Sequence, residues 1–398
     1  MTNNGALSGL VVLDLTRVLA GPYCTMLFAD MGANIIKIEE PEKGDDTRQY
    51  APIYNGESVY FININRNKRG ITLNLKNDKA KALFLDMVKK ADIVVENYRP
   101  GTMEKLGLGY EQLKEVNPGI IYASISGFGH TGRYKDRPGY DIIAQAMSGL
   151  MSTTGWPGGE PTRTGTALSD VLGGLSAAIG ILSAVYHRRE NGVGQKIDVA
   201  LVDATVSALE IINMIYLVEG RIPRRIGNRY EANYPYDTFH AMDGVVVIGA
   251  ANEKLWKLLC EAMERSDLSE DPRFDNVRNR VAHHEILKEI VEEWTKTKRV
   301  EWLVETLLAK GVPAAPIYDI AQVVNDPHIS KDREMFVELE HPVAGQLRVT
   351  GNHIKFSGTP TSVRTPSPLL GQHNEEVFSQ WMGLSKARIE ELKASGAI

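Results

Sequence analysis

Among the residues of this chain, Asp170 is the one best placed for nucleophilic chemistry. It follows Thr164-Gly165-Thr166-Ala167-Leu168-Ser169 and opens a long apolar run that contains Gly173-Gly174. An Asp in a first helical turn faces the positive end of the helix dipole, an interaction of about 0.3–1 kcal/mol. Taken alone, such a residue is an ordinary first-turn acid or helix cap. Its flanks suggest more. Gly155, Gly158, Gly159 and Gly165 crowd upstream and Gly173-Gly174 lie just downstream. Glycines let backbone approach closely. A carboxylate ringed by amides suits a nucleophile whose adducts carry oxyanions.

Two further motifs could hold an anionic ligand. Arg66-Asn67-Lys68-Arg69-Gly70 puts three cations in four residues, enough to grip phosphates or simply to form a solvated turn before a strand at 71–75. Gly127-Phe128-Gly129-His130-Thr131-Gly132 matches GxGxxG, but Arg133 to Gly139 is charged and contains Pro138, so no helix opens where a dinucleotide phosphate needs one. It reads as a glycine-rich turn. The nine histidines show no metal-ligand spacing, and neither Cys24 nor Cys260 lies in a CxxC pair. Cys24 falls inside an apolar helix and reads as an inert thiol.

The elements that must carry these residues alternate. Leu10–Leu15 is a buried-strand run. Pro22 follows at a helix start and Gly32 at its end, and 35–38 is the next strand. Helices are expected over 78–90, 169–187 and 203–217, and strands over 92–96, 119–126 and 196–201. This alternation predicts an α/β fold with a parallel sheet. After about residue 220 the pattern changes. Two strands, 236–241 and 245–248, flank Asp243-Gly244 as a hairpin, and helices follow over 254–263, 285–294 and 300–310. Short strands over 346–350 and 353–356 and a last helix over 386–395, capped by Ser385, complete the reading. The expected division is a large domain from 1–200 and 330–398, a small α+β domain from 225–325, and linkers at 201–224 and 326–329.

Composition narrows the function classes. The 45 Lys and Arg against 50 Asp and Glu leave a net charge of −5, without the basic excess of nucleic-acid binders. The uncharged run 171–186 is shorter than the roughly 20 residues that span a bilayer, and reads as a buried helix. The first residues have no basic, apolar leader pattern, so a cytoplasmic location and no membrane partner are expected.

Taken together, the motifs resemble the class III CoA-transferases. The stretches that carry the resemblance are Leu13-Asp14-Leu15-Thr16 with Leu19-Ala20-Gly21-Pro22, Gly32 to Glu39, Asn65 to Arg69, Ala91 to Gly101, Arg137-Pro138-Gly139-Tyr140-Asp141, Gly194 to Val199, and Pro368 to His373. The resemblance implies a Rossmann-like large domain with a parallel sheet, a smaller α+β domain and an interlocked homodimer. It implies a CoA thioester as substrate, a free carboxylic acid as acceptor and no permanently bound cofactor or metal. The family's catalytic aspartate falls on Asp170, which would form an aspartyl anhydride and then an enzyme–CoA thioester. CoA contacts fall on Val18, Leu19, Leu73, Asn97, Tyr98, Lys105, Leu106 and Tyr140. The chain departs from the family at Glu40 and Lys105, where arginines are common, and Lys68 and Arg69 are the cations that could compensate. Gly249-Ala250-Ala251-Asn252 stands for a longer glycine flap. Two other readings are an acyl-CoA racemase on the same fold and a non-catalytic CoA-binding protein. Racemases of this fold carry a histidine where Tyr140 stands, and Tyr, with a pKa near 10, is a poor base at neutral pH.

Overall fold

In the computed structural model, which describes residues 5–398, the chain falls into two compact units. The large unit holds the chain up to Leu150, Arg163–Gly220 and Asp326–Ile398. Its center is a six-stranded sheet of β1 (Val11–Asp14), β2 (Asn34–Glu39), β3 (Arg69–Thr72), β4 (Ile93–Glu96), β5 (Ile121–Ser126) and β6 (Lys196–Ala200). The spatial order is β3-β2-β1-β4-β5-β6 and every pairing is parallel. This is the Rossmann-type order, with its topological switch between β1 and β4.

The strands are almost uniformly apolar because helices cover both faces. Alternate side chains feed two cores. Leu13, Ile36, Val94 and Tyr122 join Phe84 and Met87 of α3 (Asp78–Val88) on one face. Val12, Ile35, Ile93 and Ile121 join Phe28 of α1 (Ala20–Asp30) and Ile181 of α7 (Leu168–Asn191) on the other. Between these lie α2 (Val59–Asn65), α4 (Thr102–Lys105), α5 (Tyr110–Val116) and α6 (Asp141–Met147). The glycine pair of α7 is explained by packing. A Cβ at Gly174 would lie 2.6 Å from the Ala20 carbonyl oxygen, and one at Gly173 2.5 Å from Leu201. The helix therefore docks closely and its first turn is fixed. Its other side is open in the single chain: Ile179 and Tyr186 are each 67% exposed, so α7 is one-sided rather than buried as its composition suggested.

The region expected as a linker at 201–224 is folded. It forms α8 (Leu201–Ala208) and α9 (Ile211–Glu219), both in the large unit. The single helix expected over 203–217 is broken at Glu210, which has φ 37°, and its two halves bend by 78°. The short strand expected over 353–356 is absent. The hairpin there pairs Phe336–His341 with Gly345–Thr350, and Ile354 N–H instead donates to the Asn352 side chain at 2.8 Å. The last helix, Lys386–Ala394, is capped by Ser385 as expected.

The exposed edge of β3 is covered by the C-terminal segment. Gly70 N–H donates to His373 Nδ1 at 3.0 Å, His373 N–H returns a bond to Gly70 O at 2.9 Å, and Thr72 N–H donates to Asn374 Oδ1 at 2.8 Å.

The small unit comprises Met151–Thr162 and Arg221–Asn325, so it includes a segment upstream of Asp170 that was expected in the large domain. Strands Tyr236–His240, Val245–Gly249 and Ala314–Pro316 form an antiparallel sheet, with the Asp243-Gly244 hairpin as expected. Trp256, Phe274, Leu287 and Leu303 form its core. Asn252, in the segment proposed as a flap, caps the helix Glu253–Ala262 through Leu255 N–H.

Candidate active site

A cleft of about 380 Å³ opens where β1, β4 and β5 end. Ligands of open parallel sheets bind beyond the carboxyl ends of the strands at the switch point. The lining comes from Arg17 to Ala20 after β1, Asn97 to Pro100 after β4, Ser126-Gly127 after β5, Arg137 to Tyr140, and Asp170. A second cleft of about 200 Å³ shares Arg17, Tyr98 and Thr102 with the first and adds Leu73, Lys76 and Leu106.

Asp170 is held from outside its own helix. Ala167, the N-cap of α7, has no side chain able to cap. Asp141 does so instead: its Oδ1 accepts Ser169 N–H at 2.8 Å and Asp170 N–H at 3.4 Å. These amides would otherwise lack partners at the helix start. Asp141 Oδ2 accepts from Gln145 Nε2 at 2.7 Å, and Gln145 Oε1 accepts Thr164 N–H at 3.0 Å. The cap is thus braced in turn. Burial pushes the Asp170 carboxyl up to about 7, and the neighbouring Asp141 charge adds to the rise. The helix dipole alone would lower it, so desolvation outweighs the dipole here. Within the large unit, Gly173-Gly174 serve helix packing, and the amides of the first turn are capped by the Asp141 carboxylate.

Tyr60 on α2 escaped the sequence reading because it sits in an unremarkable apolar stretch, Val59–Asn65. Burial raises its hydroxyl to about 12, and the charge of Asp170 contributes next. It remains a proton donor near the carboxylate. Tyr140 lines the cleft and is 71% exposed.

The loop after β1 is held in an unusual backbone. Val18 has φ 66°, unfavourable for a β-branched residue. Its N–H donates to Asp45 Oδ1 at 3.3 Å. Lys37 Nζ donates to Thr16 O and to Asp45 Oδ2, both at 2.9 Å. Asn97 accepts Arg17 N–H at 2.8 Å and donates to Arg17 O at 2.7 Å, locking this loop to the end of β4.

The expected CoA contacts divide into two groups. Val18, Leu19, Asn97, Tyr98 and Tyr140 line the first cleft with Asp170; Leu73, Tyr98 and Leu106 line the second. Lys105 is exposed and lines neither. Lys68 and Arg69 are not placed to face a ligand. Lys68 is buried, and its Nζ donates to Asp14 Oδ2 at 3.1 Å, Thr25 Oγ1 at 2.8 Å and Asn65 Oδ1 at 2.9 Å. Arg69 pairs with Glu376 at 2.9 Å and Asn34, while Arg66 pairs with Asp30 at 2.7 Å. The basic run is neither a solvated turn nor a phosphate cradle; its charges brace the interior. The cations that do line the clefts are Arg17, Arg99, Arg137 and Lys76, which are scattered in sequence and form no local motif.

The sequence profile of CoA-transferase family III matches residues 7–374. The chain belongs to this family. As a class III CoA-transferase it is an enzyme. It is 43% identical to the succinyl-CoA:mesaconate CoA-transferase of Haloarcula hispanica, over 97% of this chain and 99% of that protein. It is 44% identical to the acetyl-CoA:oxalate CoA-transferase of Acetobacter aceti, over 89% and 90%. The human succinyl-CoA:glutarate CoA-transferase is 36% identical over 100% and 91%. Among solved structures, a CAIB/BAIF family protein from Brucella suis superposes with TM-score 0.82 at 38% identity, covering 95% of this chain and 99% of that one.

Proposed function

We propose that this class III CoA-transferase moves CoA from an acyl-CoA donor to a dicarboxylic acid, with Asp170 as nucleophile. The observation that carries the reading is the half-buried Asp170 carboxyl, fixed at a helix start in a cleft at the sheet's switch point. The Asp170 carboxylate attacks the thioester carbonyl, forming an acyl–aspartyl anhydride and releasing CoA thiolate. The thiolate attacks the aspartyl carbonyl, forming an enzyme–CoA thioester and freeing the donor acid. The acceptor carboxylate attacks that thioester, giving a new anhydride and thiolate. Attack of the thiolate on the acceptor's carbonyl yields the new acyl-CoA and restores Asp170. Each step exchanges a carboxylate and a thiolate, so no metal or net proton transfer enters. Water kept away from the anhydride prevents its hydrolysis.

The dicarboxylate assignment rests on the relatives, whose acceptors are mesaconate, oxalate and glutarate. The cations Arg17, Arg99 and Arg137 in the first cleft suit anionic substrates. The second cleft would take part of the CoA, beyond the shared Arg17–Tyr98 boundary, where the guanidinium lies 5.4 Å from the ring centroid. Tyr60 and Tyr140 would donate hydrogen bonds to substrate oxygens. The family's homodimer is proposed here as well, supported by the exposed Ile179 and Tyr186 of α7 and Leu217 of α9.

The test is a screen of succinyl-CoA against a panel of mono- and dicarboxylic acids, read by mass spectrometry of the CoA products. Transfer to dicarboxylates is expected to dominate, and borohydride treatment during turnover should leave a reduced residue at position 170. Efficient transfer only to monocarboxylates would overturn the acceptor assignment.

A further inference from the structure

We propose that Glu96 and His130 form a titrating latch between two walls of the cleft, closed when the Glu96 carboxyl is ionised, so that CoA affinity rises with pH. The inference rests on the reading of this cleft as the CoA site. Glu96 ends β4 and is 1% exposed. Its Oε2 accepts Tyr98 N–H at 2.8 Å, which fixes the strand end that lines the cleft. Its Oε1 lies 3.7 Å from His130 Nε2, in the glycine-rich turn after β5. Glu96 Oε1, His130 Nε2, Tyr122 Oη and Ser124 Oγ are all buried, and none closes a hydrogen bond of good geometry among the described residues.

The turn that carries His130 leads to the site. A Cβ at Gly127 would lie 2.6 Å from Gly139 Cα, so the turn packs directly on the segment that ends in Tyr140. The latch thus joins the wall built by Asn97-Tyr98 to the wall built by Gly127 and Tyr140.

Its polarity follows from its neighbours. Lys196 Nζ lies 3.1 Å from His130 Nδ1, and an ammonium can only donate. The neutral imidazole therefore carries its proton on Nε2, aimed at Glu96. An ionised Glu96 accepts that hydrogen bond with a full charge behind it, whereas a protonated one offers only the weaker carbonyl oxygen of a neutral acid. The other groups facing the pair are Tyr122 and Ser124 from β5, Asp198 from β6, which accepts His130 N–H at 2.8 Å, and Glu104 from α4. Burial raises Glu96 to about 7, Ser124 and the Tyr98 N–H opposing the rise. Burial and then Lys196 lower His130, which favours the neutral ring.

The experiment titrates free CoA into Asp170→Asn protein by calorimetry from pH 6 to 8.5, removing the nucleophile's own titration. The same measurement on Asp170→Asn/Glu96→Gln is the comparison. Ionisation of the CoA phosphates is common to both proteins. The single variant should gain about fivefold more affinity over this range than the double variant, the worth of one hydrogen bond. Equal pH profiles in the two proteins overturn the latch and leave the CoA site standing. No CoA binding at any pH overturns both. Should Glu96→Gln fail to fold, His130→Phe in the Asp170→Asn background carries the test, and it must flatten the profile in the same way.

Discussion

Asp14 and Asp170 are both carboxyl groups that folding withdraws from water, and they end in opposite situations. Lys68 lies in a closed network with Asp14, Thr25 and Asn65, with Lys37 and Asp45 beside it. Burial opposes the Asp14 charge, but Lys68 and Lys37 outweigh it and the carboxyl is held below its ordinary value. Burial likewise opposes the Asp45 charge, and Lys37 together with the hydrogen bonds from Thr47 overturns it, leaving it at about 2. Asp170 is also desolvated, though less deeply, and has a like charge, Asp141, in place of a cation. One region keeps its charges by pairing them and becomes scaffold. The other leaves a carboxyl poised between its two states, facing a cleft. Desolvation is common to both; the sign of the neighbour separates structure from reactivity.

The comparison breaks most visibly by truncating the reactive member. Asp170→Ala should lower kcat by more than about 10³-fold, because the covalent route is lost. CoA binding and the far-ultraviolet dichroism spectrum should persist. Steady-state turnover beside calorimetry checks this, and near-normal turnover would remove Asp170 from the chemistry.

The structural member should fail in the opposite way. Lys68→Met leaves Asp14 buried without its main counter-charge, an effect of about 3–5 kcal/mol on stability. Urea unfolding measures it. Pairing the change with Asp14→Leu should restore much of the loss, since removing both charges also removes the desolvation cost. A Lys68→Met protein as stable as wild type would mean that the network is not a brace.

The smallest effect sharpens the contrast. Asp170 acts as a nucleophile only when ionised, so kcat/KM for acyl-CoA should fall as pH drops below about 7. Asp141→Asn keeps an oxygen to cap α7 and removes the repelling charge, so the midpoint should move to lower pH. The linkage sign agrees. The folded pKa is raised above 3.8, so stability is highest below that value and declines as pH rises to about 7. A pH–rate profile unchanged by Asp141→Asn would leave burial alone responsible for the raised pKa.

The parallel sheet was legible in the sequence because its strands are short apolar runs punctuated by Pro22, Gly32 and helical spacing. Asp170 was legible as a first-turn acid, and Val18, Leu19, Asn97, Tyr98 and Tyr140, which the family resemblance implied as CoA contacts, line the same cleft. What stayed hidden depended on distance along the chain. Lys68 looked like a phosphate ligand because its partner, Asp14, lies 54 residues away. Asp141 caps a helix that begins 27 residues later, and no local cap motif announces it. Arg17, Arg99 and Arg137 meet only when the ends of different strands come together. The kink at Glu210 was invisible because the residues on both sides keep an apolar, helix-forming pattern.

The covering of β3 by the segment around His373 has a consequence in time. Gly70 and Thr72 find their outer partners only in residues more than 300 positions further along. On the ribosome, the first three strands can pair with one another while β3 still offers an unsatisfied edge, and it does so until the segment after Pro368 has emerged. During that interval the nascent chain presents a strand edge open to other chains. The two-sided clasp that His373 and Asn374 place on that edge is therefore also the step that ends the vulnerability of the growing polypeptide.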